Sequence, residues 1–290
     1  MLRPLSFLFL SGVVALGATA APAVSSPDAE RLTIPLSDPA KPARVEVGLV
    51  MGSITVVAGK PGEVVLVATA RDDDDEDEYE HDHDRDDEDD ESERPRSRAG
   101  MRRIPNVSLG LEAEEKGNRV EIGVESWARP IDLRLEVPAA SSLELSSVND
   151  GELSVTGISG EVVLNNTNGG ITVRDATGPV NAATVNGDLT VEFGRSMAAA
   201  AMAFSTLNGD IDLTLPASAK ANVVLRSDNG EIYSDFDVVL QRKPAEVERD
   251  SEKGKYRISI AQELTGTIGG GGPELFLKTF NGDILLHKAR

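Results

Sequence analysis

The sequence predicts an all-β protein, a single-domain β-solenoid with a disordered acidic loop inserted into it. Three observations lead to this prediction. A short phrase built on Asn-Gly recurs along the chain, glycines return at a regular spacing, and apolar and polar residues alternate after each glycine. Alternation with a period of two is typical of strands with one buried face, and a regular glycine indicates a bend at the same place in every unit.

The recurring phrase reads VNDGEL, TNGGIT, VNGDLT, LNGDID, DNGEIY and FNGDIL. Its corner residues are Asn149, Gly151, Asn168, Gly169, Asn186, Gly187, Asn208, Gly209, Asn229, Gly230, Asn281 and Gly282. Gly accepts positive φ without a Cβ penalty and Asn tolerates it next best, so we interpret these residues as structural corners. Stacked Asn side chains can also bond to one another between units. The residue after the corner, Asp188 in one copy, is Glu or Gly in others, and we therefore expect it to be replaceable.

The glycines at 151, 160, 169, 178 and 187 are nine residues apart. Apolar residues follow each of them at the second and usually the fourth position, as Leu189 and Val191 do after Gly187. Such internal periodicity indicates stacked repeats. A meander of hairpins joined by Asn-Gly turns would show the same spacing, so periodicity leaves both arrangements open.

These copies, with the ending GGGGPELFLKTFNGDILLHK, resemble a bacterial family of unknown function known as the putative adhesins. The resemblance runs from about Ala43 to Lys288 and is strongest over 143–233 and 274–286. It implies a secreted or envelope-associated β-solenoid with no assigned enzymatic activity, so there are no catalytic residues to transfer. The long Asp-rich insert departs from the family pattern.

The chain begins like a secretory signal peptide over residues 1–20, with Arg3, an apolar run and the small residues Ala18-Thr19-Ala20 before a cleavage point. The run is too short for a permanent membrane span, and no later run approaches that length. The absence of cysteine excludes a lipid anchor, disulfides and thiolate chemistry. We expect export to the periplasm or the cell surface, a Pro- and Ala-rich extended leader over 21–43, and the solenoid over 44–290, with no transmembrane segment in the mature chain.

The net charge of −20 belongs mostly to one insert. Residues 72–93 hold 17 acids against one Arg, and five arginines follow within 94–103. Such a composition cannot bury enough apolar surface to offset ordering entropy, so we predict a disordered insert over 71–103 and a second charged loop over 241–255. The sign of the charge disfavours nucleic acid and anionic membrane as partners.

Within the insert, His81, Asp82, His83 and Asp84 are candidates for weak divalent-cation binding, the alternative being a solvated loop with no ligand. We predict no other metal and no cofactor. The Asn-Gly-Asp corners lack the G-G-x-G-x-D spacing of calcium-binding nonapeptides. The sequence contains neither G-x-S-x-G nor H-E-x-x-H, and no carboxylate stands in an apolar setting, so we predict that the protein is not an enzyme.

The predicted function is that of an exported adhesin-like scaffold or interaction module. It would bind an envelope protein or a surface polymer through its repeat face. The first alternative is an accessory protein in envelope-stress signalling or cation handling that acts through the acidic loop. A polysaccharide-degrading β-helix enzyme is the second alternative.

Overall fold

The computed structural model describes residues 29–71, 111–124, 130–241, 246–250, 255–259 and 263–290. Within these ranges every regular element is a β-strand, which confirms the all-β class. No helix in the described part of the chain is long and apolar enough to cross a bilayer. The predicted signal peptide and nearly all of the predicted acidic insert lie outside the described residues.

The first seven strands are β1 (Ala29–Pro35), β2 (Arg44–Met51), β3 (Ile54–Gly59), β4 (Glu63–Ala70), β5 (Leu111–Lys116), β6 (Arg119–Val124) and β7 (Ile131–Pro138). The next eight are β8 (Ser142–Asn149), β9 (Leu153–Thr156), β10 (Val162–Asn166), β11 (Ile171–Ala176), β12 (Val180–Ala183), β13 (Leu189–Phe193), β14 (Met202–Ser205) and β15 (Ile211–Leu215). The last eight are β16 (Ala221–Asn229), β17 (Ile232–Ser234), β18 (Val239–Gln241), β19 (Glu246–Asp250), β20 (Lys255–Ser259), β21 (Glu263–Ile268), β22 (Glu274–Asn281) and β23 (Ile284–Lys288).

Two large sheets contain most of these strands. Sheet 1 has the strand order β1-β4-β7-β3-β9-β11-β13-β15-β23-β17. Sheet 2 has the order β18-β21-β16-β22-β14-β12-β10-β8-β2-β6-β5. Strands β19 and β20 form a separate antiparallel pair.

The chain alternates between the two sheets from β8 to β17, so that each strand of sheet 2 and the strand of sheet 1 after it make one coil. Neighbouring coils pair in parallel: β9-β11-β13-β15 in sheet 1 and β8-β10-β12-β14 in sheet 2. An up-and-down meander would pair its neighbours antiparallel. The meander alternative is therefore wrong for this part of the chain.

The nine-residue glycine spacing is half of a coil. A Cβ on Gly187 would collide with the carbonyl of Gly169, whereas a Cβ on Gly178 would collide with the carbonyl of Gly160. The glycines thus belong to two opposite corners, visited in alternation. Asn168 and Asn186, which occupy the same corner in successive coils, are 18 residues apart.

The order of the coils departs from the order of the sequence at both ends. The coil β2–β3 lies between β6–β7 on one side and β8–β9 on the other. In the same way the last coil, β22–β23, lies between β14–β15 and β16–β17. Antiparallel strands complete three of the four sheet ends: β4 beside β7 with β1 beyond it, β5 beside β6, and β21 beside β16 with β18 beyond it. A coil remote in sequence is therefore inserted into the stack at each end.

The core consists of aliphatic side chains in register between the sheets. In sheet 1 the column Leu153, Ile171, Leu189, Ile211 and Ile284 has at most 1% exposure at each position. Burying one such side chain contributes about 1.5–3 kcal/mol to the free energy of folding, so the stack is stabilised by many similar contributions.

Two predicted boundaries differ from the structure. Residues 29–35, inside the predicted extended leader 21–43, form β1 and pair with β4, and Ile34 and Leu36 are buried. The prediction rested on the Pro and Ala content of 21–43, whereas RLTIPL also alternates polar and apolar residues, the local signal of a strand. The predicted charged loop 241–255 contains β19, whose register places Glu248 opposite Arg257 in β20.

Candidate functional site

The predicted Asn corners lie together where sheet 2 passes into sheet 1, an edge named here the ladder corner. Their side chains form a continuous ladder in which each Nδ2 donates to the Oδ1 of the neighbouring Asn. The steps, in order, are Asn168 to Asn149 at 2.9 Å, Asn186 to Asn168 at 2.7 Å, Asn208 to Asn186 at 2.7 Å, Asn281 to Asn208 at 2.7 Å and Asn229 to Asn281 at 3.1 Å. The ladder joins six coils, including the inserted C-terminal one.

The glycines of the ladder corner allow the coils to approach closely. The N–H of Gly187 donates to the carbonyl of Asn208 at 2.9 Å, and the N–H of Gly209 donates to that of Asn281 at 2.8 Å. Gly187 has φ of +156°, and a Cβ there would lie 2.5 Å from the carbonyl carbon of Gly169. The predicted glycines Gly151, Gly169, Gly209, Gly230 and Gly282 stand in the same relation to a neighbouring glycine.

A second, buried row of polar side chains runs behind the Asn ladder. Thr184 Oγ1 donates to the carbonyl of Gly169 at 3.0 Å, and Thr206 Oγ1 donates to that of Gly187 at 2.9 Å. The equivalent donors in the other coils are the buried Ser147, Asn166 and Thr279 and the half-buried Ser227. Sequence reasoning missed this row. Its signal was present, because a hydroxyl or amide residue stands two places before every ladder Asn.

The acidic residues after the corner glycines also connect the coils. Asp188 Oδ1 accepts the backbone N–H of Asp210 at 2.8 Å, and Asp210 Oδ1 accepts that of Asp283 at 2.7 Å. Asp283 Oδ1 in turn accepts the N–H of Glu231 at 2.8 Å. These carboxylates form a row parallel to the Asn ladder. Asp188 thus has a defined acceptor role that the sequence interpretation, which treated it as replaceable, did not give it.

The residues directly before the ladder Asn form an exposed apolar row, named here the ridge. It consists of Val148, Val185, Leu207 and Phe280, which are 42%, 38%, 46% and 45% exposed. Backbone bonds from Asn208 to Val185 and from Asn281 to Leu207 place the last three on successive coils. The ridge was not predicted, although each member is the apolar residue directly before a ladder Asn: Val148 and Phe280 at the ends of β8 and β22, and Val185 and Leu207 just after β12 and β14.

A shallow trough of about 340 Å³ lies on the outer face of sheet 2, where Gly48 pairs with Gly123 and leaves the backbone open. Three glutamates line it, and Arg119 and Arg44 join them into a network that alternates in sign: Glu121, Arg119, Glu46, Arg44 and Glu144. Hydrogen bonding to Arg44 lowers the pKa of Glu46, and the same contact raises the pKa of Arg44. The charges at the trough are thus paired among themselves.

Of the three histidines in the sequence, His287 is the one that lies within the described residues. Its Nδ1 lies 3.3 Å from Asp235 Oδ2 and its Nε2 lies 3.7 Å from Asp212 Oδ1. The backbone N–H of Lys288, followed by the contact with His287, lowers the pKa of Asp235. Both ring nitrogens face carboxylates, and no Ser or Thr hydroxyl bonds to this group within the described ranges. The arrangement ties β23 to β15 and to the residues after β17.

The candidate cation ligands His81, Asp82, His83 and Asp84 lie outside the described residues. Among the residues that are described, no group of three or more His, Asp or Glu side chains is arranged to hold a metal ion.

Comparison with known proteins finds a family and one distant structure. Residues 114–268, just over half of the chain, match the family model described as Toastrack DUF4097. No curated protein matches the chain. A solved structure described as a putative cell adhesion protein from Clostridium sporogenes ATCC 15579 superposes with a TM-score of 0.47 and 9% sequence identity. That match covers 90% of this chain and all of the other, and a likeness at this level does not bear on function.

Proposed function

Because the chain belongs to the Toastrack DUF4097 family, we propose that it is an exported, non-enzymatic β-solenoid of the bacterial cell envelope that binds a macromolecular partner through its repeat face. Membership of this family confirms the resemblance to the putative adhesins. The partner class is an envelope protein or a surface polymer.

The solenoid description is supported by the parallel, in-register coils that pass alternately through sheets 1 and 2. A sequential solenoid would stack its coils in chain order. Here the stack is solenoid-like in the middle and interleaved at both ends, since β2–β3 and β22–β23 are inserted coils. The repeated side chains of this stack form rows along its surface.

The observation that carries the binding proposal is the ladder corner. The Asn ladder joins six coils there, the second row of polar side chains bonds neighbouring coils behind it, and the carboxylate row joins four of them. These bonds fix side chains at the coil spacing of about 4.8 Å before any partner arrives, and pre-organisation lowers the entropic cost of association. A regular, hydrogen-bonded surface of this kind suits recognition of an extended partner.

The non-enzymatic assignment is supported by the hydrogen bonds that the carboxylates of the repeat face accept. Asp188, Asp210 and Asp283 each hold a backbone N–H of the next coil. They are spaced by the strand repeat and lie on an exposed edge, whereas a hydrolytic carboxylate pair needs a defined separation across a substrate and an environment that raises one pKa. Their geometry fits a structural role.

Export remains a prediction from residues 1–20. The absence of cysteine supports release into the periplasm or to the surface without a lipid anchor. N-terminal analysis of the protein recovered from the envelope or periplasmic fraction tests this directly. We expect the mature chain to begin at Ala21, and a chain that retains Met1 in the cytoplasm would contradict export.

The main test is chemical cross-linking in intact cells of the source organism, followed by mass spectrometry. The full chain is compared with a variant that lacks residues 72–93. If the same partner is cross-linked by both chains, the repeat face carries the interaction. If the deletion alone abolishes partner or cation binding, the second candidate is correct, an accessory protein that acts through the 17 carboxylates of that insert.

A further inference from the structure

The ridge is a straight apolar strip on an otherwise polar edge. Val185, Leu207 and Phe280 occupy successive coils, so their side chains follow one another at about 4.8 Å along the stack. Val148 extends the line two coils further, with Thr167 between it and Val185. Contiguous exposed apolar residues bordered by polar ones typically mark a contact surface, whereas scattered single residues do not.

The carboxylate row runs beside the ridge on the same coils. Val185 precedes Asn186 and Asp188 follows Gly187, and the same order holds at Leu207 with Asp210 and at Phe280 with Asp283. Each of these three coils thus presents an apolar side chain, a ladder amide and a carboxylate in that sequence. The surface is an apolar strip with one negatively charged border.

The carboxylates of this border keep an unused acceptor. Oδ1 of Asp188, Asp210 and Asp283 accepts the N–H of the next coil. Within the described residues, Oδ2 of these three side chains has no hydrogen-bond or ion-pair partner. Three like charges at successive coils repel one another, and a cation placed over the row would relieve that repulsion.

We propose that the ridge and its carboxylate border bind a basic amphipathic peptide segment of a partner protein. This inference rests on the proposed function and specifies its surface and its partner chemistry. Apolar side chains of the segment would cover Leu207 and Phe280, while Lys or Arg side chains along its border would reach the free carboxylate oxygens. A second copy of this chain or an anionic polymer would instead add negative charge to a negative border.

The test uses the purified full chain and two labelled probe peptides. Both probes carry Leu at helical spacing on one face, and the other positions are Lys in one probe and Glu in its match. Fluorescence anisotropy measures their Kd. We expect the Lys probe to bind and the Glu probe to bind at least about tenfold more weakly, because the border is acidic.

Three sets of variants locate the binding. Leu207→Ser with Phe280→Ser removes the two largest side chains of the ridge and should raise the Kd of the Lys probe about tenfold or more. Asp188→Asn with Asp210→Asn and Asp283→Asn removes charge but keeps the Oδ1 acceptors, and should raise Kd and flatten its salt dependence. The matched controls are Leu32→Ser, an equally exposed leucine at 43% on β1, and Glu192→Gln on the outer face of sheet 1.

The outcomes separate the possibilities. Binding of the Lys probe that the ridge variants leave unchanged would overturn the proposal, and would point to the acidic run 72–93, which all of these variants retain. Equal binding of both probes would overturn the charge argument. Sedimentation that shows a dimer lost in the ridge variants would assign the ridge to self-association and also contradict the proposal. None of these results depends on the cross-linking experiment, so the proposed function can stand if this inference fails.

Discussion

Gly187 shows how closely the backbones of successive coils pass at the ladder corner. A methyl group at this position would enter the space of the Gly169 carbonyl, and backbone atoms cannot move aside as the end of a side chain can. The same contact recurs from coil to coil along the stack, so a shift at one coil disturbs the next.

We therefore predict that Gly187→Ala lowers the free energy of unfolding by at least about 1–3 kcal/mol, the usual cost of overpacking. Urea unfolding followed by far-UV circular dichroism measures the change. Gly123→Ala is the matched control, because a Cβ at Gly123 meets no atom within 4 Å. Equal unfolding midpoints for the two variants would show that the corner can relax.

Asp188 illustrates a different kind of constraint, in which the fold needs the acceptor oxygen of the side chain and not its negative charge. Its Oδ1 holds the N–H of Asp210, and an Asn side chain offers the same oxygen. We predict that Asp188→Ala lowers the unfolding free energy by about 0.5–1.5 kcal/mol, whereas Asp188→Asn leaves it nearly unchanged. The same urea titration compares them. An Asn variant as unstable as the Ala variant would mean that the negative charge itself matters to the fold.

At the scale of elements, the features that depend on neighbouring residues could be predicted from the sequence, whereas the pairing of strands that are far apart in the chain could not. The corners at Asn186 and Asn208 and the inward Leu189 could be predicted, because turn chemistry and strand alternation depend on neighbouring residues. The insertion of β22–β23 between β14–β15 and β16–β17 could not be predicted. Every coil carries nearly the same pattern, so no local feature of the sequence indicates which coil Asn281 will join.

The ridge was missed for another reason. Alternation predicts which face of a sheet a residue takes, and it does not predict whether an outward apolar residue lies next to other apolar residues.

The inserted position of the last coil has a direct consequence for stability. Leu275, Leu277, Ile284 and Leu286 are at most 1% exposed, and together they contribute about 6–12 kcal/mol of burial, comparable to the whole stability of an ordinary domain. A chain ending at Pro273 would lose them and would leave β14 and β16 without the strand between them.

We predict that this truncated chain has no cooperative urea transition by far-UV circular dichroism. A chain ending at Lys288 is the control, because it removes Ala289, whose N–H bonds to Leu215, together with Arg290, and spares the coil. If the chain ending at Pro273 unfolds with the same midpoint and slope as the full chain, the last coil is an accessory to the stack and not part of its core.

At the scale of the whole molecule, three carboxylates link stability to pH at separate places in the fold. Hydrogen bonds from the backbone N–H of Asn118, then from the backbone N–H of Ser37, lower the pKa of Glu115. Through these two bonds the Glu115 carboxylate connects the residues after β1 to the β5–β6 turn. Hydrogen bonding to Arg44 lowers the pKa of Glu46 on sheet 2. The backbone N–H of Lys288 lowers that of Asp235 near β17.

A carboxyl group whose pKa is lowered by folding stabilises the native state when it is ionised. Its contribution is fully present above the unfolded pKa of about 4 and is lost as pH falls through the lower folded pKa. We therefore predict that the urea midpoint is level around neutral pH and falls as the solution is acidified below about pH 4.

Glu115→Gln should reduce this fall of the midpoint. Glu114→Gln, which changes an exposed neighbour on the opposite face of β5, should not. The part due to Glu115 should also persist at high salt, since its donors are uncharged, while the part due to Glu46 and its arginines is screened. A midpoint that rises on acidification would contradict the linkage and would mean that relief of charge repulsion across the acidic chain outweighs these three groups.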